Sequence, residues 1–140
     1  MASQRRVLPE TEDIDTGGFW QGARLGEIRV LECSSCGALL HMPRAYCYQC
    51  GSWENHWKTV AGIGRLHSWT VVEHQVHPDF PVPYTVVLVD LDGAPGARLV
   101  GYLEGSPDLA AGQAMRARFE VLDDEVTLPQ WDPVEAPMSW

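Results

Sequence analysis

The chain has one lysine, Lys58, in 140 residues, and its arginines are scattered. Ten basic residues face nineteen acidic ones, a formal net charge of −9. That balance repels phosphate backbones and argues against general binding to nucleic acid. No run of ~18 apolar residues occurs, so no segment reads as a membrane-spanning helix. The opening residues Met1 to Arg6 lead into acids without an apolar stretch, so no secretory signal is expected and the cytoplasm is the default location. There is no glycine-rich phosphate cradle and no G-x-S-x-G elbow, which leaves the common nucleotide-binding and hydrolase motifs unrepresented. Cysteine occurs at four positions only.

What is present points to many short elements. The apolar fraction is 45%, ordinary for a globular chain, and 13 glycines and 10 prolines are dispersed along it. Asp15 or Thr16 can cap a short helix carrying Phe19, Trp20 and Ala23, although Gly17 and Gly18 are poor helix formers. Leu25 to Glu32 reads as a strand with Ile28 and Val30 on one face. From Trp57 onward strand-like runs recur at 57–60, 66–73, 84–91, 99–103, 114–121 and 126–128, separated by turn signals such as Gly62-Ile63-Gly64, Pro78 to Pro83 and Asp92-Gly93. Short strands at this spacing, the first of the barrel long and bent at glycine, suggest a five-stranded Greek-key barrel of the OB type. The fold expected is mostly β: an N-terminal arm and short helix over 1–27, a rubredoxin-like zinc ribbon over 28–56, the OB-type barrel over 57–131, and an extended tail over 132–140.

Cys33-Ser34-Ser35-Cys36 and Cys47-Tyr48-Gln49-Cys50 form two C-x2-C pairs with ten residues between them. Such a turn brings two sulfurs onto one ion, and two turns complete a tetrahedral thiolate site. Gly37 and Gly51 follow the second cysteine of each pair, where a positive φ lets backbone amides turn toward sulfur. The pattern is that of a zinc ribbon holding structural Zn2+. Two disulfides would require an oxidising compartment. A thioredoxin-like redox pair would require a βαβ context that the pattern lacks. Iron in a rubredoxin-like site uses the same ligands and stays open at this stage. Four protein thiolates close the coordination sphere, so the metal is expected to be structural and non-catalytic.

The chain resembles the OB-fold zinc-ribbon family known as domain of unknown function 35, whose members accompany thiolase-superfamily enzymes. Phe19-Trp20 with Gly26 to Val30 looks like the family's entry helix and first strand. Cys33 to Cys36, Pro43-Arg44 and Cys47 to Gly51 look like its cysteine signature. Gly62 to Val72 and Pro83 to Leu91 look like its first barrel strands, and Leu128 to Pro133 like its closing segment. The Tyr48-Gln49 pair departs from the proline common in the family's second knuckle. The resemblance implies a non-catalytic accessory subunit. It would bind a thiolase-fold enzyme, such as a β-ketothiolase, a hydroxymethylglutaryl-CoA synthase or a steroid side-chain retro-aldolase, in a two-plus-two heterotetramer. Barrel and ribbon would help form the acyl-CoA site, and the partner would carry the reacting groups. The competing classes are a single-stranded nucleic-acid-binding module, which needs a basic groove, and a rubredoxin-like electron carrier.

Beyond the cysteines, the candidates for CoA or partner contact are Arg44, Phe80, Tyr84 and Trp131. Arg44 can meet a phosphate or carboxylate through bidentate hydrogen bonds. The loop from His77 to Tyr84 holds three prolines and two large aromatics, and a stiff aromatic loop loses little entropy on docking. Trp131 and Trp140 in the tail are read the same way. Alternation sets His67 and Trp69 on one face of the long strand, with Trp69 expected in the core. His41 is not needed as a ligand. Carboxylates at Asp90, Asp92 and 123–125 flank turns and are expected to be solvated. No catalytic residue is assigned.

Overall fold

The computed structural model describes residues 7–134. Met1 to Arg6 and the tail from 135 on, including Trp140, lie outside the described residues. One helix and eight strands follow in order: α1 (Gly17–Arg24), β1 (Ile28–Cys33), β2 (Leu39–Leu40), β3 (Asn55–Val60), β4 (Ile63–Val72), β5 (Tyr84–Leu91), β6 (Arg98–Glu104), β7 (Ala114–Val121) and β8 (Thr127–Pro133). Three antiparallel strands ordered β2-β1-β3 form the ribbon sheet, and five ordered β6-β5-β4-β7-β8 form the barrel sheet.

Helix α1 begins after Thr16, whose hydroxyl makes no capping bond and instead donates to Asp13 Oδ2 at 2.8 Å. Asp15 Oδ1 accepts the Ala45 N–H at 2.7 Å, tying the helix start to the ribbon. Gly18 is tolerated because a Cβ there would overlap the Trp57 indole, so a bare backbone lets the helix lie against β3.

The strand expected from Trp57 starts at Asn55 and pairs with β1 over its whole length, so it belongs to the ribbon sheet. Alternation along β1 then joins the two halves. Ile28 and Val30 enter the barrel core with Val60, Leu66, Val87, Val89, Leu99, Met115 and Trp131. Leu31 and Cys33 face the other way and pack with Leu40 and Cys47 under the ribbon.

Two expectations are corrected. Trp69 is exposed, not core. A bulge at His67 shifts the β4–β5 register, and β4 pairs with β7 only through Arg65, so its second half extends past the barrel with both faces in solvent. The final strand runs to Pro133, well past the expected end at Leu128. Its Pro129 and Pro133 fit because β8 ends the sheet order and pairs with β7 alone.

Candidate metal centre and apolar cleft

The four cysteine sulfurs lie within 4.8 Å of one another. Cys33 Sγ is 3.6 Å from Cys50 Sγ, and Cys36 Sγ is 3.8 Å from Cys47 Sγ. Tetrahedral zinc with Zn–S bonds of ~2.3 Å requires sulfurs ~3.8 Å apart, so the residues fit the ion. Gly37 (φ 77) and Gly51 (φ 81) adopt the left-handed conformation expected of them, and each donates its N–H at 2.9 Å to the carbonyl of the first cysteine of its pair. The Gln49 and Cys50 amides both donate to Cys47 Sγ at 3.4 Å.

The electrostatics of the four sulfurs suit a cation. Hydrogen bonding by the Cys36 amide, outweighing burial, holds the Cys33 thiol down at about 6. At Cys50 the Ser52 amide pulls downward, but the neighbouring Cys33 sulfur and burial prevail and push the thiol up to about 12. Four thiols this close cannot all ionise against one another, and a divalent ion removes that conflict. The centre is a structural zinc site.

Of the contact candidates, Trp131 is corrected: it is fully buried in the barrel core, its Nε1 without a hydrogen-bond partner. It closes a seam. Strands β6 and β8 end the sheet order, and where they meet, Gly101 sits so close that a Cβ would lie 3.0 Å from Trp131 Cδ1 and 3.1 Å from Trp131 N. Buried Gln130 bridges the same seam, accepting the Tyr102 N–H at 2.7 Å and donating to Glu120 Oε1 at 3.1 Å.

Over this seam lies a cleft of about 350 Å³ that the residue pattern did not reveal. Thr16, just before α1, and Phe19 and Trp20 on it form one wall, His41, Met42 and Pro43 from the ribbon another. Val86, Leu99 to Tyr102 and Leu128 to Gln130 form the barrel side. Phe19 packs edge-on to Trp20 at 5.0 Å and meets His41 at 5.7 Å, joining the first two walls. Burial pushes the His41 imidazole below its ordinary pKa of 6.5 and keeps it neutral.

Two of the remaining candidates touch a residue of its lining. Tyr84 and Phe80 stack on Tyr102, with centroids 5.3 and 6.3 Å away, so the proline-rich loop packs against one wall. Exposed Arg44 follows Pro43 of another. Elsewhere, Asp90 is not a free acid: Arg98 Nε at 2.7 Å and His67 Nδ1 at 3.0 Å hold its carboxyl below the usual range. A chain of Ser34 Oγ, His56 and Glu32, with contacts of 2.9 and 2.7 Å, also went unnoticed; it is exposed on the ribbon, outside the cleft lining. Cross-strand pairing of Glu32 with His56 creates it, which no linear spacing signals.

Comparison with known proteins decides the family. The profile of the ChsH2 rubredoxin-like zinc ribbon matches residues 20–54, and that of the ChsH2 C-terminal OB-fold domain matches 57–120. A solved structure described as the Ltp2-ChsH2(DUF35) aldolase aligns with 89% of this chain and 98% of its own, at 30% identity and a TM-score of 0.78. The chain belongs to the ChsH2-type DUF35 family. A DUF35 protein of unknown function from Sulfolobus solfataricus shares the fold at 17% identity, with a TM-score of 0.53 over 74% of this chain and 75% of its own. A probable enoyl-CoA hydratase alpha subunit of Thermomonospora curvata is 38% identical over 120 residues, 82% of this chain and 36% of that relative. The chain thus spans about a third of that relative's length. Among the described residues of this DUF35 member, no helix is long and apolar enough to cross a membrane.

Proposed function

We propose that this chain is an accessory subunit of a thiolase-superfamily enzyme that acts on acyl-CoA thioesters, with a steroid side-chain CoA ester as the substrate class. One observation carries the reading: near full-length likeness to a structure described as an aldolase of two named components, Ltp2 and ChsH2(DUF35). The relative described as a probable enoyl-CoA hydratase subunit points to the same thioester chemistry. In this reading the zinc centre stiffens the ribbon, the ribbon and barrel complete the partner's acyl-CoA site, and the partner supplies the reacting groups. Arg44, Phe80 and Tyr84 serve as contacts to partner or CoA. The assembly is a two-plus-two heterotetramer in the cytoplasm.

Co-expression with a thiolase-superfamily protein from the same organism tests the proposal. A stable complex is expected to co-elute and to cleave an acyl-CoA substrate that neither protein turns over alone. Failure to co-elute, or turnover by this chain by itself, overturns it.

A further inference from the structure

We propose that the open edge of β4 is a self-association surface: two copies of this chain pair along Ser68 to Val72, antiparallel, about a two-fold axis at Thr70. The inference concerns this chain alone and does not depend on the proposed function.

The barrel leaves that edge uncovered. Strand β4 is paired with β7 only from Ile63 to Arg65. The loop before β7 covers one further residue: the Leu66 N–H donates to the Gln113 carbonyl at 2.9 Å, and the Gly112 N–H donates to the Leu66 carbonyl at 2.7 Å. From Ser68 to Val72 the strand pairs with β5 on its other side alone. Its backbone groups that alternate toward the open side have no protein partner among the described residues. Sheet edges are commonly protected by lysine, proline or an inward-pointing charge. Ser68, Trp69, Thr70, Val71 and Val72 include none of these, and three of the five are β-branched, which suits them to a further strand. The bulge at His67 precedes this stretch and does not interrupt it.

The residue order of the edge selects a second copy as its occupant. Turned end for end about Thr70, the strand sets Trp69 opposite Val71 of the other copy, Ser68 opposite Val72, and Thr70 opposite itself. Aromatic–β-branched and Thr–Thr pairs across antiparallel strands are stabilising. Residues two apart share a face, so Trp69 and Val71 of both copies form one apolar row. They are 39% and 38% exposed in the single chain, which leaves surface for that row to cover. Charge fixes the direction. Arg65 and His67 stand at one end of the edge and Glu73 at the other. Antiparallel pairing brings the basic end of each copy to the acidic end of its mate, with His67 opposite Glu73; a parallel pair in register would set Glu73 beside Glu73. His67 holds Asp90 through Nδ1 at 3.0 Å, which leaves Nε2 for the second copy's Glu73. A five-residue strand pair buries less than the ~1,000 Å² of a stable interface, so the dimer is weak and concentration-dependent.

Sedimentation equilibrium of the full zinc-loaded chain tests this. The mass should rise from 15.6 kDa toward twice that value as protein is raised to about 0.5 mM. Amide exchange should slow with concentration within Ser68 to Val72. Val71→Lys and Trp69→Glu should each weaken association about tenfold or more, since each sets a charge into the apolar row. The two variants mixed should associate more tightly than either alone, because the register places the introduced lysine opposite the introduced glutamate. Zinc content and circular dichroism verify that both fold. A mass fixed at 15.6 kDa throughout, association unchanged in a folded variant, or a mixture no tighter than the single variants overturns the inference. So does wild-type exchange that slows elsewhere and not on β4, a readout that needs no variant. Self-association without any complex with a thiolase-superfamily protein would remove the proposed function and leave this inference standing; a complex without self-association would do the reverse.

Discussion

His41 shows how one side chain can matter without binding metal. The cysteines complete the zinc site without it, and its imidazole packs on Phe19 with Nδ1 buried and unpartnered. Burial lowers its pKa below 6.5, so the unfolded chain binds a proton more readily than the folded one. Its contribution to stability is therefore full above 6.5 and is lost as pH falls through the lower folded value. His41→Phe removes that titration. In melts of zinc-saturated protein from pH about 7.5 to about 5.5, the wild type should lose stability relative to the variant as acid is added; a constant gap would refute this. His41 was legible as a non-ligand because four cysteines already suffice. Its burial was not, since helix and ribbon meet there only in three dimensions. Trp131 carries the opposite lesson: read in a proline-rich tail it resembled a contact residue, yet β8 continues through those prolines and turns it inward.

Strands with unbroken alternation were readable to the residue. The burial of β5 alternates from Tyr84 to Leu91 without interruption, and its bounds match the expected ones. Elements shaped by their neighbours were not. The bulge in β4 breaks periodicity, and β8 depends on having one sheet partner. The closest test at this scale is the β6–β8 seam. Gly101→Ala places a Cβ 3.0 Å from the Trp131 ring and 3.1 Å from its backbone N, where rigid backbone cannot yield freely; overpacking of this kind costs about 1–3 kcal/mol. Gln130→Ala strips the Tyr102 N–H of its acceptor, and a buried donor left unpaired costs about 1–3 kcal/mol. Denaturant titration of each variant should show a lowered midpoint, and a midpoint equal to wild type would mean the seam is not closed as described.

The metal centre governs the whole molecule because β1 belongs to two cores at once. Its outer end holds Cys33, and its Ile28 and Val30 complete the barrel interior. Zinc binding in comparable sites contributes on the order of ten kcal/mol of folding free energy. Chelation should therefore loosen more than the ribbon: the thermal transition should move down as a single step for ribbon and barrel together. Circular dichroism melts with and without chelator check this. Two transitions, with the barrel's unchanged, would show that the halves fold independently.

Ligand identity and the order of ribbon before barrel were already decided in the linear sequence, because sulfur spacing and the period-two pattern are local properties of the chain. The five-stranded barrel could be expected on the same grounds. The cleft, the closed seam and the core shared by ribbon and barrel were decided only by tertiary structure. Each depends on groups distant along the chain, Phe19 with His41, Gly101 with Trp131, Ile28 with Val60, and such contacts carry no signature in local order.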